Sequence, residues 1–474
     1  MRKQDQLIEL IKALTASEKR YFKVFSKTQT SNKTYIALFD ELEKQDTYDG
    51  KALAKKLKVT PATLADAKEY LQTVLLRSLR LYHEHNSVEN TMQVEFMEAS
   101  LLFKKGLLSY CLSLSNKLMA KAMKYERFTM ALNVGRLQAL CYSHLRQFDM
   151  LKQADERETE ILSMLSEYSA LIHLRDTLLE PMLTRKGLNE VEDITQNSTF
   201  NIPTHKLQSF HARICQGEIG MFYYQYVKPD ANKALQYALE QYEEFKRNDF
   251  FRSINPSAYY GLLSKLCVRY FGTGQFEQAL HYVNQLISET SGKNDGAPTV
   301  ELKKFNYGGK CIKTTLLSLQ GLYAEAAEFA RDNYYIKDNL APNERITFLM
   351  DYALSLFHTG QYDECHTQLN VLINDDTPER LDLQLQARLL FIILQIQQKN
   401  FSLVPYQTKN LKVWMKKAKA NHPGTAELIP WLDKLGKADT KEQMQKTFPL
   451  FKSALLTEPL IHISKPLALG KWSI

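Results

Sequence analysis

Apolar residues recur along this chain at intervals of three and four, the period of a helix with one buried face, and do not settle into the alternation of a strand. Gly (18) and Pro (14) are scarce for 474 residues, so long helices are expected in place of a sheet with many turns. Two segments repeat most plainly: YYGLLSKLCVRYFGTGQFEQALHYVNQLI (259–287) and RITFLMDYALSLFHTGQYDECHTQLNVLI (345–373). Each reads as an apolar helix, a short turn ending in Gly-Gln-aromatic-acidic, and a second apolar helix. Gly274 and Gly360 stand where the first helix must stop, and glycine tolerates the left-handed backbone that stops it. Phe276 and Tyr362 follow two residues later, placed to wedge between the helices. Ala279 and Cys365 are small where the helices cross closely.

Fainter copies of the turn fall at Gly106, Gln147, Gly187, Asp230, Gly321 and Asn400. With Gly274 and Gly360 in place, the successive gaps are 41, 40, 43, 44, 47, 39 and 40 residues. That regularity predicts a tandem array of eight helix pairs over residues 89–420. The copy at Gly321 has a fitting second helix, but Lys310 and Lys313 suit the first helix poorly.

The two clear segments resemble the tetratricopeptide repeat (TPR). Leu263, Leu266, Cys267 and Tyr270 match its first-helix positions, and Ala279, Val283 and Leu286 its second-helix ones. In the other segment the matching residues are Leu349, Tyr352, Ala353, Leu356, Cys365, Leu369 and Leu372. Neither segment has the family's proline after its second helix, and the spacing exceeds the usual ~34 residues. The resemblance implies an all-α solenoid whose first helices line a concave, partner-binding face. On that template the face comprises Ser264, Val268 and Phe271, then Met350, Leu354, Phe357 and His358, with the large apolar members as anchors for a helix or peptide.

Outside the array, residues 1–88 read as a separate helical module. Thr15-Ala-Ser-Glu18 has the spacing of a capping box. A short helix holding Leu53, Ala54 and Leu57, a turn at Val59, a Thr60 cap and Pro61 at the first helical position give a helix-turn-helix cadence. The first turns of its second helix present Ala62, Thr63, Asp66 and Ala67, a poor set for phosphates and base edges. Residues 421–474 carry no turn marker and read as a capping segment that docks on the last helices.

The net charge of +8 is unevenly placed. Residues 1–85 hold 16 Lys+Arg against 11 Asp+Glu, so the rest of the chain carries only +3 and is no general polyanion binder. One basic face stands out: Lys409, Lys412, Lys416 and Lys419 at helical spacing, opposite Leu411 and Trp414-Met415. The amino terminus is broken by Asp5, Glu9 and Lys12 and does not read as a signal peptide. No apolar run is long enough to span a membrane. The six cysteines are scattered through apolar helical patterns, form no CxxC pair, and read as buried free thiols of a cytoplasmic protein.

No phosphate loop, HExxH or GxSxG occurs. Gly308-Gly309-Lys310 lacks the upstream glycine, His83 and His85 have no metal-binding neighbours in sequence, and Cys365 and His366 project about 100° apart on one helix. The expectation is therefore a non-enzymatic scaffold with no cofactor and no metal, binding a protein or peptide on its concave face without a membrane partner. The alternative is a nucleic-acid-linked regulator, with residues 1–88 on DNA and the array as a sensor.

Overall fold

The computed structural model describes residues 3–29, 34–45, 48–84, 87–184, 187–188, 191, 193–292, 300–375, 380–418, 424–438 and 440–467. These residues form α-helices joined by short 3-10 and π turns, with no strand among them. The protein is all-α, its helices packed as successive pairs. The chain divides into two compact units, Met1–Glu167 and Tyr168–Ile474.

The first unit begins with α1 (Lys3–Ala13), α2 (Ala16–Gln29), α3 (Thr34–Glu43), α4 (Gly50–Leu57) and α5 (Pro61–Tyr82). They close on a core that includes Ile11, Phe22, Tyr35, Phe39, Leu71 and Leu75. The capping box forms: the Thr15 N–H donates to Glu18 Oε2 at 2.7 Å, and the Glu18 N–H donates to Thr15 Oγ1 at 3.3 Å. Asp49 starts a helix, its carboxylate accepting from the N–H groups of Lys51 and Ala52 at 3.0 Å. Thr60 caps α5 by accepting from the Thr63 N–H at 3.1 Å, ahead of Pro61.

The compact unit continues past residue 88, where the sequence marked the end of the amino-terminal module. It takes in α6 (Val88–Lys104), α7 (Leu108–Lys124), α8 (Phe128–His144) and the first part of α9 (Phe148–Thr184). α6, α7 and α8 are each 17 residues long. Their core centres on Met92, Leu118, Phe128, Val134 and Ile161.

The second unit holds the remainder of α9, then α10 (Phe210–Phe222), α11 (Ala231–Arg247), α12 (Asp249–Ile254), α13 (Pro256–Gly272), α14 (Phe276–Thr290) and α15 (Val300–Leu319). It continues through α16 (Tyr323–Asp332), α17 (Pro342–His358), α18 (Tyr362–Ile373), α19 (Leu381–Gln397) and α20 (Val404–Ala418). It closes with α21 (Thr425–Leu435), α22 (Lys441–Leu455) and α23 (Ile461–Ser464). From α13 to α22 each helix packs on the next in sequence. One continuous core runs from Cys311 to Leu467 and takes in Leu460, Ile463 and Leu467 of the last segment. Among the described residues, no helix is long and apolar enough to cross a membrane.

One turn recurs. At each of eight sites a residue with positive φ ends a helix: Lys58, Gly106, Glu126, Arg146, Gly274, Gly321, Gly360 and Lys399. Its N–H bonds the carbonyl three residues back, and the next N–H bonds the carbonyl five residues back, as in Gly274 to Phe271 and Gln275 to Tyr270. This is the Schellman arrangement, which satisfies two carbonyls that a helix end would leave bare. Six of the eight markers read from the sequence lie at or one residue beyond such a turn. The markers at Gly187 and Asp230 do not. Gly187 has positive φ but follows the end of the long α9, and Asp230 is the N-cap of α11, accepting from the Lys233 N–H, after the π turn Tyr223–Val227. The turn at Glu126, between α7 and α8, has no glycine to announce it.

Candidate partner-binding face

Helices α13, α15, α17 and α19 open successive pairs, and each touches the next of the four. Counting back from the turn glycine aligns α13 with α17: ten residues back are Ser264 and Met350, six back Val268 and Leu354, three back Phe271 and Phe357. On α13 this face is open. Val268 is 47% exposed, and Ser264 is half-buried with its hydroxyl donating to the Tyr260 carbonyl at 3.1 Å. Phe271 is half-buried, packed on the Cys267–Ala279–Val283 cluster with its ring 5.6 Å from that of Phe276.

On α17 the same positions are closed. Leu354 is 5% exposed and Phe357 2%, and Met350 is buried with them. The expectation of exposed groove anchors is therefore corrected at Met350, Leu354 and Phe357, which pack inside the core. The cause is coverage. α19 lies along α17, and Leu460, Ile463 and Leu467 join the core that contains all three residues. His358 fixes the arrangement: its Nε2 lies 3.0 Å from the Leu467 carbonyl oxygen, and its ring stacks on Tyr323 with centroids 4.2 Å apart. Thus α17 is closed by its own chain, through α19 and the contact of His358 with Leu467, where the repeat pattern placed a partner.

The open face on α13 has a polar component that periodicity does not reveal. Arg269 reaches back to the π turn that follows α10, where its Nη2 donates to Gln225 Oε1 and Tyr226 lies against it. Its Nε is buried with no hydrogen-bond partner, and among the described residues no carboxylate pairs with it. Burial pulls the guanidinium below its ordinary pKa, opposed by Tyr226. Lys265, one turn earlier, stands 3.9 Å from Glu218 and over the Phe222 ring at 5.3 Å. Sequence reasoning passed over Arg269 because nothing local marks a cation whose neighbours come from a helix some forty residues upstream.

At α17 the corresponding charge has the opposite sign. Asp351, nine residues before its turn glycine as Lys265 is before its own, accepts from Thr315 Oγ1 at 2.5 Å. Burial pushes its carboxyl up to about 6 against that bond and the nearby Arg380. The two lysines that fitted the α15 template poorly turn aside. Lys310 Nζ donates to the Tyr335 hydroxyl at 2.6 Å, and Lys313 Nζ to Asn284 Oδ1 at 2.9 Å.

The basic face near the carboxy terminus is partly neutralised. Lys412 forms an ion pair with Asp433, Lys409 and Lys416 are exposed, and Lys419 lies outside the described residues. In the amino-terminal module Lys56 pairs with Glu41 at 2.5 Å, and Asp66 is exposed on α5. All six cysteines are buried and unpaired. Among the described residues, no three His, Cys, Asp or Glu gather as a metal site would require. His83 Nε2 lies 2.6 Å from Glu18 Oε1, and His85 lies outside the described residues.

No family model matches the chain, and the search of curated proteins returned no match. Among solved structures it is similar to a signal transduction ATPase with numerous domains (STAND) protein with a tetratricopeptide repeat sensor from Pyrococcus horikoshii. The identity is 13%, the match covers 90% of this chain and 56% of that one, and the TM-score is 0.36. The chain thus spans little more than half the length of that protein, and at this TM-score the site is read from the chain's own residues.

Proposed function

We propose that this chain is a non-enzymatic helical-repeat scaffold that holds a segment of another protein along the first helices of its second unit. The supporting observation is the contrast on that face. At α17 the inner positions are buried in a core that also takes in Leu460, Ile463 and Leu467, and the Leu467 carbonyl lies against His358. At α13 Val268 stays exposed, and Arg269, the next residue in the chain, reaches back toward α10 with no carboxylate partner among the described residues. A repeat array adds contact area unit by unit, and an open apolar position on the first helix of a pair suits an apolar side chain of a bound segment. The test is photo-crosslinking from position 268 in cells, with exposed Leu450 as control. One defined protein adduct at 268 and none at 450 is expected; no adduct at 268, or the same adducts at both, overturns the reading.

A further inference from the structure

The turn between α8 and α9 departs from what the same turn does elsewhere. Two residues after the left-handed residue, α14, α16 and α18 each open on an aromatic: Phe276, Tyr323 and Tyr362. All three are half-buried, their rings 5.6 Å from Phe271, 4.2 Å from His358 and 6.0 Å from Phe357. α9 opens on Phe148 at the same position, and there the ring is 67% exposed. Leu145 and Met150 stand exposed beside it in sequence. The α6–α7 turn adds Leu107, 52% exposed, and Tyr110, 63% exposed. The two turns share one end of the helix set, because Phe103 and His144, near the ends of α6 and α8, meet edge to face at 5.6 Å.

Their charge differs as well. Lys104, Lys105, Arg146 and Lys152 are exposed and without ion-pair partners among the described residues, and Asp149 is the one carboxylate in 104–110 and 145–152. The turns at Gly274, Gly321 and Gly360 are likewise followed by an acid, Glu277, Glu325 and Asp363, but 272–280, 319–326 and 358–366 hold no Lys or Arg. Large exposed apolar side chains on tight turns, with cations beside them in sequence, suit a soft anionic interface better than a preformed groove. The apolar groups enter the acyl boundary while the cations meet headgroups. We propose that this end of the first unit docks on an anionic membrane surface, with Leu107, Tyr110 and Phe148 entering the interface and Lys104, Lys105 and Arg146 on the lipid headgroups. This is attachment at the surface, by a region separate from the α13 face.

The test is co-sedimentation of the full chain with vesicles of phosphatidylcholine alone or mixed with phosphatidylserine. Binding to the mixed vesicles alone is expected, weakening as salt rises. Phe148→Ala with Leu107→Ala should weaken it by about tenfold or more, and Lys104→Glu with Lys105→Glu should abolish it. All four residues are exposed, so unchanged thermal melts show that the fold is kept. A Phe148→Trp variant gives a second readout, a blue shift of the added emission with mixed vesicles. No binding to the mixed vesicles overturns the proposal. So does binding that the apolar changes leave untouched, which is adsorption by charge alone. If the variants leave vesicle binding unchanged and instead remove an acidic protein partner, the surface is a protein interface and the proposal fails.

Discussion

Helices α13 and α17 carry the same pattern, end on the same glycine turn, and meet opposite fates. Val268 is about half exposed while Leu354, at the same position, is buried. Lys265 lies near Glu218 at the surface, while Asp351 at the same position is pushed toward neutrality by burial. Neither length nor ending separates them, since both are 17 residues long and both end at a left-handed glycine. The difference comes from what lies over them. A repeat fixes which residues share a face, and the rest of the chain decides whether that face is a surface or a core.

The widest predicted gap lies at the paired phenylalanines. Phe357→Ala should cost about 3–5 kcal/mol, as for a fully buried ring, and Phe271→Ala roughly half as much because its ring is half-buried. Urea unfolding of the two variants measures this, and equal losses would mean that the two faces are equally covered. Next comes Asp351. Its folded pKa lies above its unfolded one, so the folded state holds the proton more tightly. Stability is then fully present below the unfolded value near 3.8 and falls as pH rises through about 6. Asp351→Asn should therefore raise stability at neutral pH by on the order of 2 kcal/mol and change little at pH 4, read from melts across that range. A gain that is the same at both pH values would place Asp351 in solvent.

The smallest effect should be the same on both helices. Nothing lies within 4 Å of a Cβ added at Gly274 or Gly360, so Gly→Val meets only the cost of left-handed backbone, about 1–2 kcal/mol at each. A markedly larger loss at Gly360 would show that coverage reaches the turn itself.

The turns were legible where glycine supplies the left-handed residue, as at Gly106, Gly274, Gly321 and Gly360. Arg146 and Lys399 do the same with ordinary side chains, and there the fainter copies of the turn read from the sequence fall one residue late. Glu126 was missed because a count of helix pairs does not ask for a turn between two of them. The inner face was half legible. Which residues would line it is what the repeat template implies, and of those on α13 Val268 is exposed. Whether it is open does not follow, because the cover on α17 comes from α19 and from as far as Leu467, 109 residues from His358, and no local pattern carries a contact of that reach. The same limit hid Arg269, whose partner Gln225 lies 44 residues away.

The even pacing of the first unit has a consequence for how such a chain grows or shrinks. α6, α7 and α8 each run 17 residues with three-residue links, so helices begin at 88, 108, 128 and 148. Consecutive helices run in opposite directions, so inserting or deleting 20 residues reverses every helix downstream and turns its apolar stripe away from its neighbour. Forty residues restore direction and face together. Length in this part of the molecule therefore comes in steps of a pair. Duplications and deletions of that size are silent to the packing, and those of half that size are not.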